Sequence, residues 1–235
     1  MYTQLLCVID LPIKDAVSPD ERDEATSRQS VHLVTEMTEI LVLCTANQCR
    51  SAMAESLLSH RLAAAGVSAS VRSAGVSASA GVSASVRPGD ALNEGGQPPA
   101  EVMSALAAYG LDAAAHRSRE LREGDLARSD LVLAMAREHL RHAVVALPGA
   151  WSRTFTLKEL IRRGQQVGPR QAGESLAGWL GRVHDGRDRA VLLGDSADDD
   201  VADPSGGPPQ DYVLTAQQLD QLLARLVELA WGCAS

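Results

Sequence analysis

The run Ile40-Leu41-Val42-Leu43-Cys44-Thr45-Ala46-Asn47-Gln48-Cys49-Arg50-Ser51 constrains this chain more than any other stretch. Its first part reads as a hydrophobic strand ending at Cys44. A tight loop follows, and Arg50 and Ser51 open an amphipathic helix expected over Ala52–Ala65. In a strand–loop–helix of this kind, successive backbone N–H groups form an anion-binding concavity. The positive end of the helix faces the same place. Thr45, Ala46, Asn47, Gln48, Cys49, Arg50 and Ser51 are therefore candidate phosphate-binding positions. The guanidinium of Arg50 can hold two phosphate oxygens side by side, which a lysine cannot do. In that field a thiol ionises well below its usual pKa of about 8.5, which makes Cys44 a candidate nucleophile at phosphorus. The bare Cys-x5-Arg spacing is a weak signal, and a buried structural cysteine at a strand end is the plain alternative. The agreement of strand, loop and helix carries the argument.

Beyond this run, the chain alternates strand-like and helix-like segments in the manner of a parallel sheet. A second strand is expected over Ala69–Ser73, a third over Asp130–Ala134 and a fourth over Val144–Leu147. Helices are expected over Ala100–Tyr109, Glu138–His142, Leu157–Arg163, Glu174–Arg182 and Val213–Ala230, the last with Leu219, Leu222, Leu223, Leu226 and Ala230 on one face. His139 and His142 lie three apart on a short helix and are expected to face solvent. Asp195–Asp200 reads as a solvated acidic loop, since no regular ligand spacing supports a metal site.

Two segments stand outside this pattern. Residues 1–37 are acidic and polar from Asp15 to Gln29, without periodicity, and are expected to be a disordered, dispensable extension ahead of a domain spanning 38–235. Gly66-Val67-Ser68-Ala69-Ser70-Val71-Arg72 recurs as Gly81-Val82-Ser83-Ala84-Ser85-Val86-Arg87, which reads as a local duplication expanding a loop near 75–97. The alternating Val and Ser leave the strand register ambiguous between the copies.

Composition narrows the function. With 45% hydrophobic but only 3% aromatic residues, the core must be built from Leu, Val and Ala. A net charge of −8 argues against nucleic acid or an anionic membrane as partner. No apolar run has the length of a membrane span, and no signal peptide is expected from the first residues. Four scattered cysteines, one in a nucleophilic loop, point to a reducing cytoplasm. No cofactor or metal is expected.

Cys44 to Glu55 (CTANQCRSAMAE) resembles the signature of the low-molecular-weight protein tyrosine phosphatases. Arg72-Ser73-Ala74-Gly75, His116-Arg117-Ser118-Arg119, Asp130-Leu131-Val132-Leu133-Ala134-Met135 and Asp203-Pro204 look like later family segments, in the family's order. The resemblance covers roughly 39–143 and 201–231, and the stretch near 164–200 reads as an insertion. It implies a three-layer α/β/α fold with a four-stranded parallel sheet. It also implies a phosphocysteine intermediate on Cys44, phosphate held by Arg50, and Asp203 as the acid that protonates the leaving oxygen. Asp203 before Pro204 is held extended, as suits a projecting carboxyl group. Ser51 would stabilise the Cys44 thiolate, and Asn47, Ser73 and His116 match the family's supporting network. Apart from the resemblance, the inward curl of the loop would bring Cys49 near Cys44, where it would protect Cys44 from over-oxidation; packing the base of the loop is the plain alternative.

The departures matter. Ala46 stands where the family has glycine, and Ala52 where it has proline. Ser205-Gly206-Gly207 follows the acid in place of aromatic residues that flank a phosphotyrosine ring. Gln48 differs from the threonine of a branch acting on phosphoarginine. The expected activity is hydrolysis of phosphate monoesters, with protein phosphotyrosine or a small phosphomonoester as substrate. A thiol-dependent arsenate reductase and a non-catalytic phosphate-binding module are the alternatives.

Overall fold

The computed structural model describes residues 37–76 and 93–232. The N-terminal extension, the second repeat copy, Cys7 and Cys233 lie outside the described residues, so the expectations placed on them are not addressed. Strand β1 (Thr38–Cys44) sits in the middle of the sheet between β2 (Ala69–Gly75) and β3 (Leu131–Ala134), and β4 (Thr154–Thr156) closes the order β2-β1-β3-β4. All pairings are parallel, with Val42 beside Ser73 on one side and Leu133 on the other. The expected four-stranded parallel sheet is thus present, and β2 comes from the first copy of the repeat.

The aliphatic run of β1 follows from this position. Ile40 and Val42 face a core built with α1 (Arg50–Ala64), α2 (Ala100–Ala107), α5 (Leu157–Val167), α6 (Leu176–His184) and α7 (Pro209–Ala230). Leu41 and Leu43 face α3 (Glu123–Arg128) and α4 (Arg137–Ala146) through Leu126 and Ala143. A strand covered on both faces has no polar side to alternate with. Three layers result, and the site lies at the carboxyl ends of β1 and β3, where parallel sheets place their ligands.

Three expectations fail. Val144–Leu147 is not the fourth strand: α4 runs on to Ala146, burying Leu140 and Ala143 while Val145 stays 74% exposed. A short apolar run fits either state, and here the three-residue spacing of the buried side chains decides for helix. The fourth strand is the three-residue Thr154–Thr156, all buried, too short to leave a periodic signal. His139 does not face solvent; it is wholly buried against the site. Asp195–Asp200 is not simply a solvated loop, since Asp199 is buried between two arginines.

The stretch read as an insertion contributes to the core. Trp179, Leu180 and Val183 of α6 are buried with α5 and α7, and the Trp179 indole N–H donates to the Gly168 carbonyl at 3.0 Å. No helix among the described residues is long and apolar enough to cross a membrane.

Candidate active site

Cys44 is the last residue of β1, and the loop to Arg50 wraps the end of the strand. Asn47 makes the turn, the sole non-glycine residue with positive φ (55°) among those described. Asn tolerates this left-handed conformation better than most side chains. Ala46 takes an ordinary negative φ, so the methyl group in place of the family's hydrogen needs no strained backbone. Among the described residues, the backbone N–H groups of Thr45 to Cys49 have no protein acceptor. A loop with its donors unspent at a helix start suits an anion.

A buried polar network fixes this loop. The Asn47 amide donates to Ser51 Oγ at 2.9 Å and to Ser73 Oγ at 2.6 Å. Its Oδ1 accepts from the Arg119 N–H at 3.0 Å. Because Ser51 Oγ already accepts from Asn47, its own proton is available to Cys44 Sγ, 2.9 Å away. A hydroxyl donor so placed would steady negative charge on the sulfur as it leaves phosphorus. Ser73 passes its proton on to Glu55, whose carboxylate also faces His116 Nδ1 at 3.4 Å. His116 Nε2 donates to the Asn47 carbonyl at 2.8 Å. Burial opposes a charge on His116, but Glu55 and the Asn47 carbonyl outweigh it and its pKa is raised. Ser51, Asn47, Ser73 and His116 therefore converge. Glu55, missed in the sequence, completes the set; it lies one helical turn after Ser51, on the same face.

Arg50 is buried and spans the site. Its Nη1 donates to the Val201 carbonyl at 3.3 Å, and its Nη2 to Thr45 Oγ1 at 3.2 Å and to the Asp203 carboxylate. Its Nε is buried with no protein acceptor. An unpaired buried donor costs about 1–3 kcal/mol, a cost that a bound oxyanion would remove. Asp203, part-exposed, accepts at Oδ1 from the Ser205 N–H (3.1 Å) and hydroxyl (2.8 Å). The carboxylate is thus held by its own turn while reaching the guanidinium.

Glu138 and His139 are a second omission of the sequence reading. His139 Nε2 lies 3.0 Å from Thr45 Oγ1 and 3.2 Å from Glu138 Oε1. Burial pushes the pKa of His139 down. The hydrogen bond from His139, with the charge of Arg50 and the Thr45 hydroxyl, pulls Glu138 down to about 2 against its desolvation. Both lie in the first turn of α4, just beyond β3, the strand beside β1, where the ligand crevice of a parallel sheet was to be expected.

Cys49 is the second cysteine of the loop. It is buried at the start of α1, and burial, reinforced by Cys44 and Asp203, lifts its pKa to about 11 despite the Ser205 hydroxyl. At neutral pH it remains a thiol. Gln48 is half-buried and packs against the turn at Gly96, where an added Cβ would come within 2.6 Å of its amide nitrogen. Tyr212 is buried, with its hydroxyl at the Gly206 backbone, so its ring packs against this segment and is not presented to solvent.

Residues 39–167 match the family model described as low molecular weight phosphotyrosine protein phosphatase. A protein-arginine-phosphatase of Geobacillus stearothermophilus is 32% identical over 80% of this chain and 93% of its own length. A low molecular weight protein tyrosine phosphatase from T. tengcongensis superimposes with a TM-score of 0.58 at 31% identity, covering 81% of this chain and 98% of that one. An arginine phosphatase solved as a cysteine-to-serine mutant with a phosphorylated active site serine superimposes with a TM-score of 0.57 at 25% identity, covering 81% and 94%.

Proposed function

The chain belongs to the low molecular weight phosphotyrosine protein phosphatase family and is a phosphatase, and we propose that it dephosphorylates protein side chains through a phosphocysteine on Cys44. The Cys44 thiolate attacks phosphorus while the phosphoryl oxygens lie on the loop N–H groups and on Arg50. The bond from phosphorus to the side chain breaks, and the leaving atom takes the proton of the Asp203 carboxyl group. Water then attacks the phosphocysteine, Asp203 takes its proton, and inorganic phosphate departs as the Ser51 hydroxyl steadies the released thiolate. The observation that carries this reading is the reach of Arg50. One buried guanidinium touches both the nucleophile loop at Thr45 and the Asp203 carboxylate. A phosphate bound there lies between the candidate nucleophile and the candidate acid.

Among phosphorylated side chains, phosphotyrosine is the first reading, since Gln48 stands where the arginine-directed branch resembled here carries threonine. Phosphoarginine is the second. It is favoured by the named activity of the Geobacillus relative and by the absence of an aromatic residue within Ser205-Gly206-Gly207, with Tyr212 nearby buried. The reducing cytoplasm remains our proposed location. Peptides bearing phosphotyrosine, phosphoarginine and phosphoserine, with arsenate alongside, decide among these readings. We expect the largest kcat/KM on phosphotyrosine and no thiol-dependent reduction of arsenate. A preference for phosphoarginine would select the second reading, and turnover of arsenate alone would overturn both.

A further inference from the structure

The segment that delivers Asp203 is held at a point the reaction itself does not use. Asp199 is 1% exposed, four residues before Asp203. Its Oδ2 accepts from Arg137 Nε at 2.8 Å and its Oδ1 from Arg162 Nη1 at 2.6 Å. One carboxylate thus ties the loop to the first residue of α4 and to the middle of α5. Asp200 next to it accepts the Arg137 backbone N–H at 2.8 Å, and Lys158 reaches the Asp200 carbonyl. The Val201 N–H donates to the Met135 carbonyl at 2.7 Å, just past the end of β3. From that anchored point the chain presents two groups to the site, the Val201 carbonyl to Arg50 and the Asp203 carboxylate to the same guanidinium.

We propose that Asp199 is a positioning residue for the general acid, its two arginine bonds holding the 199–203 segment so that the Asp203 carboxyl group meets the leaving atom of the substrate. The inference rests on Asp203 being the acid. The buried carboxylate is a two-point anchor, with one oxygen held by the largely enclosed Arg137 and the other by the more exposed Arg162. The link to chemistry is short: Asp203 follows Asp199 closely, and Val201, between them, is bonded at both its N–H and its carbonyl. Misplacing a catalytic group by about 1 Å is enough to slow a reaction by about 10²-fold.

Leaving-group dependence reads this role. The comparison uses kcat/KM for 4-nitrophenyl phosphate, whose phenol leaves readily, and phenyl phosphate, whose phenol needs the proton. Asp203→Ala should lose about 10²–10⁴ on phenyl phosphate and far less on the nitrophenyl ester. Asp199→Asn should show the same selectivity at smaller amplitude, about tenfold or more on phenyl phosphate, with inhibition by inorganic phosphate kept within about threefold. In Asp199→Asn/Asp203→Ala the loss should equal that of Asp203→Ala alone. Arg162→Met removes the more exposed of the two guanidiniums and gives a milder variant if Asp199→Asn does not fold; it should show the same selectivity, weaker. Equal losses on both esters, or additive losses in the double variant, would overturn the proposal while leaving Asp203 the acid. A flat leaving-group profile for Asp203→Ala would remove the acid reading and the positioning role with it.

Discussion

At the scale of single residues, the site sorts its ionisable groups by environment. Both loop cysteines are buried and each meets a serine hydroxyl, Cys44 that of Ser51 and Cys49 that of Ser205, and burial lifts the Cys49 pKa to about 11. Cys49 is therefore the poorer nucleophile, and its role as a neighbouring thiol that condenses with oxidised Cys44 is open to test. Peroxide should inactivate the parent reversibly, with a Cys44–Cys49 disulfide in the peptide map. Cys49→Ser should instead proceed to sulfinic acid and fail to recover on adding thiol; full recovery would remove the protective role. His116 gives a pH signature. Its folded pKa is raised above the ordinary 6.5 by Glu55 and the Asn47 carbonyl, against burial. The stability it contributes is therefore fully present below about 6.5 and is lost as pH rises through the folded value. The difference in urea midpoint between the parent and His116→Asn should shrink across that window. A difference independent of pH would show that His116 titrates alike in the folded and unfolded states, with no net contribution from Glu55. Most of these residues were legible in the sequence because the loop motif concentrates them. Glu55, Glu138 and His139 were not: Glu55 meets the site through Ser73 of β2 and through His116, and Glu138 and His139 reach it from α4, so only the packed sheet brings them to the loop.

At the scale of elements, the sheet and its long helices followed from pattern, and the short pieces did not. The run Val144–Leu147 looks like a strand, yet Leu140 and Ala143 already bury the face that α4 turns inward. Thr154–Thr156 joins the sheet with three residues because its surroundings, not its periodicity, hold it. Directly after it, Glu159 of α5 makes a two-pronged pair with Arg187, both bonds at 2.8 Å. The Arg187 guanidinium lies 3.7 Å from the centre of the Trp151 ring and 4.1 Å from that of Phe155. The pair is wholly enclosed. Removing one partner strands the other charge in an apolar setting, so Arg187→Ala should destabilise the fold by about 3–5 kcal/mol in chemical denaturation. A loss near zero would mean that water reaches Glu159 and the pair is not an element of the core. In the sequence, Arg187 is one arginine among many on a Gly- and Asp-rich segment. Nothing local marks it as buried.

For the whole molecule, the described domain accounts for every part of the proposed chemistry. The matched family model begins at residue 39, and β1 begins at Thr38. We therefore expect a chain starting at Met37 to keep kcat/KM on an aryl phosphate within about twofold, since every residue of the proposed chemistry lies at or after Cys44. A larger loss would assign a function to the first residues. The duplicated Gly-Val-Ser-Ala-Ser segments show why the fold was only partly legible here: two copies carry the same strand pattern, and the choice between them depends on pairing with β1 rather than on either copy's residues. The central claim remains the covalent step, and a rapid-quench experiment tests it most directly. Enzyme mixed with excess aryl phosphate is stopped within the first turnover and analysed by peptide mass spectrometry. The account predicts a phosphoryl group on the peptide that contains Cys44, appearing with the burst of phenol and disappearing as substrate is exhausted. Phenol release with no phosphorylated peptide at any quench time, or with the phosphoryl group on another residue, would contradict it.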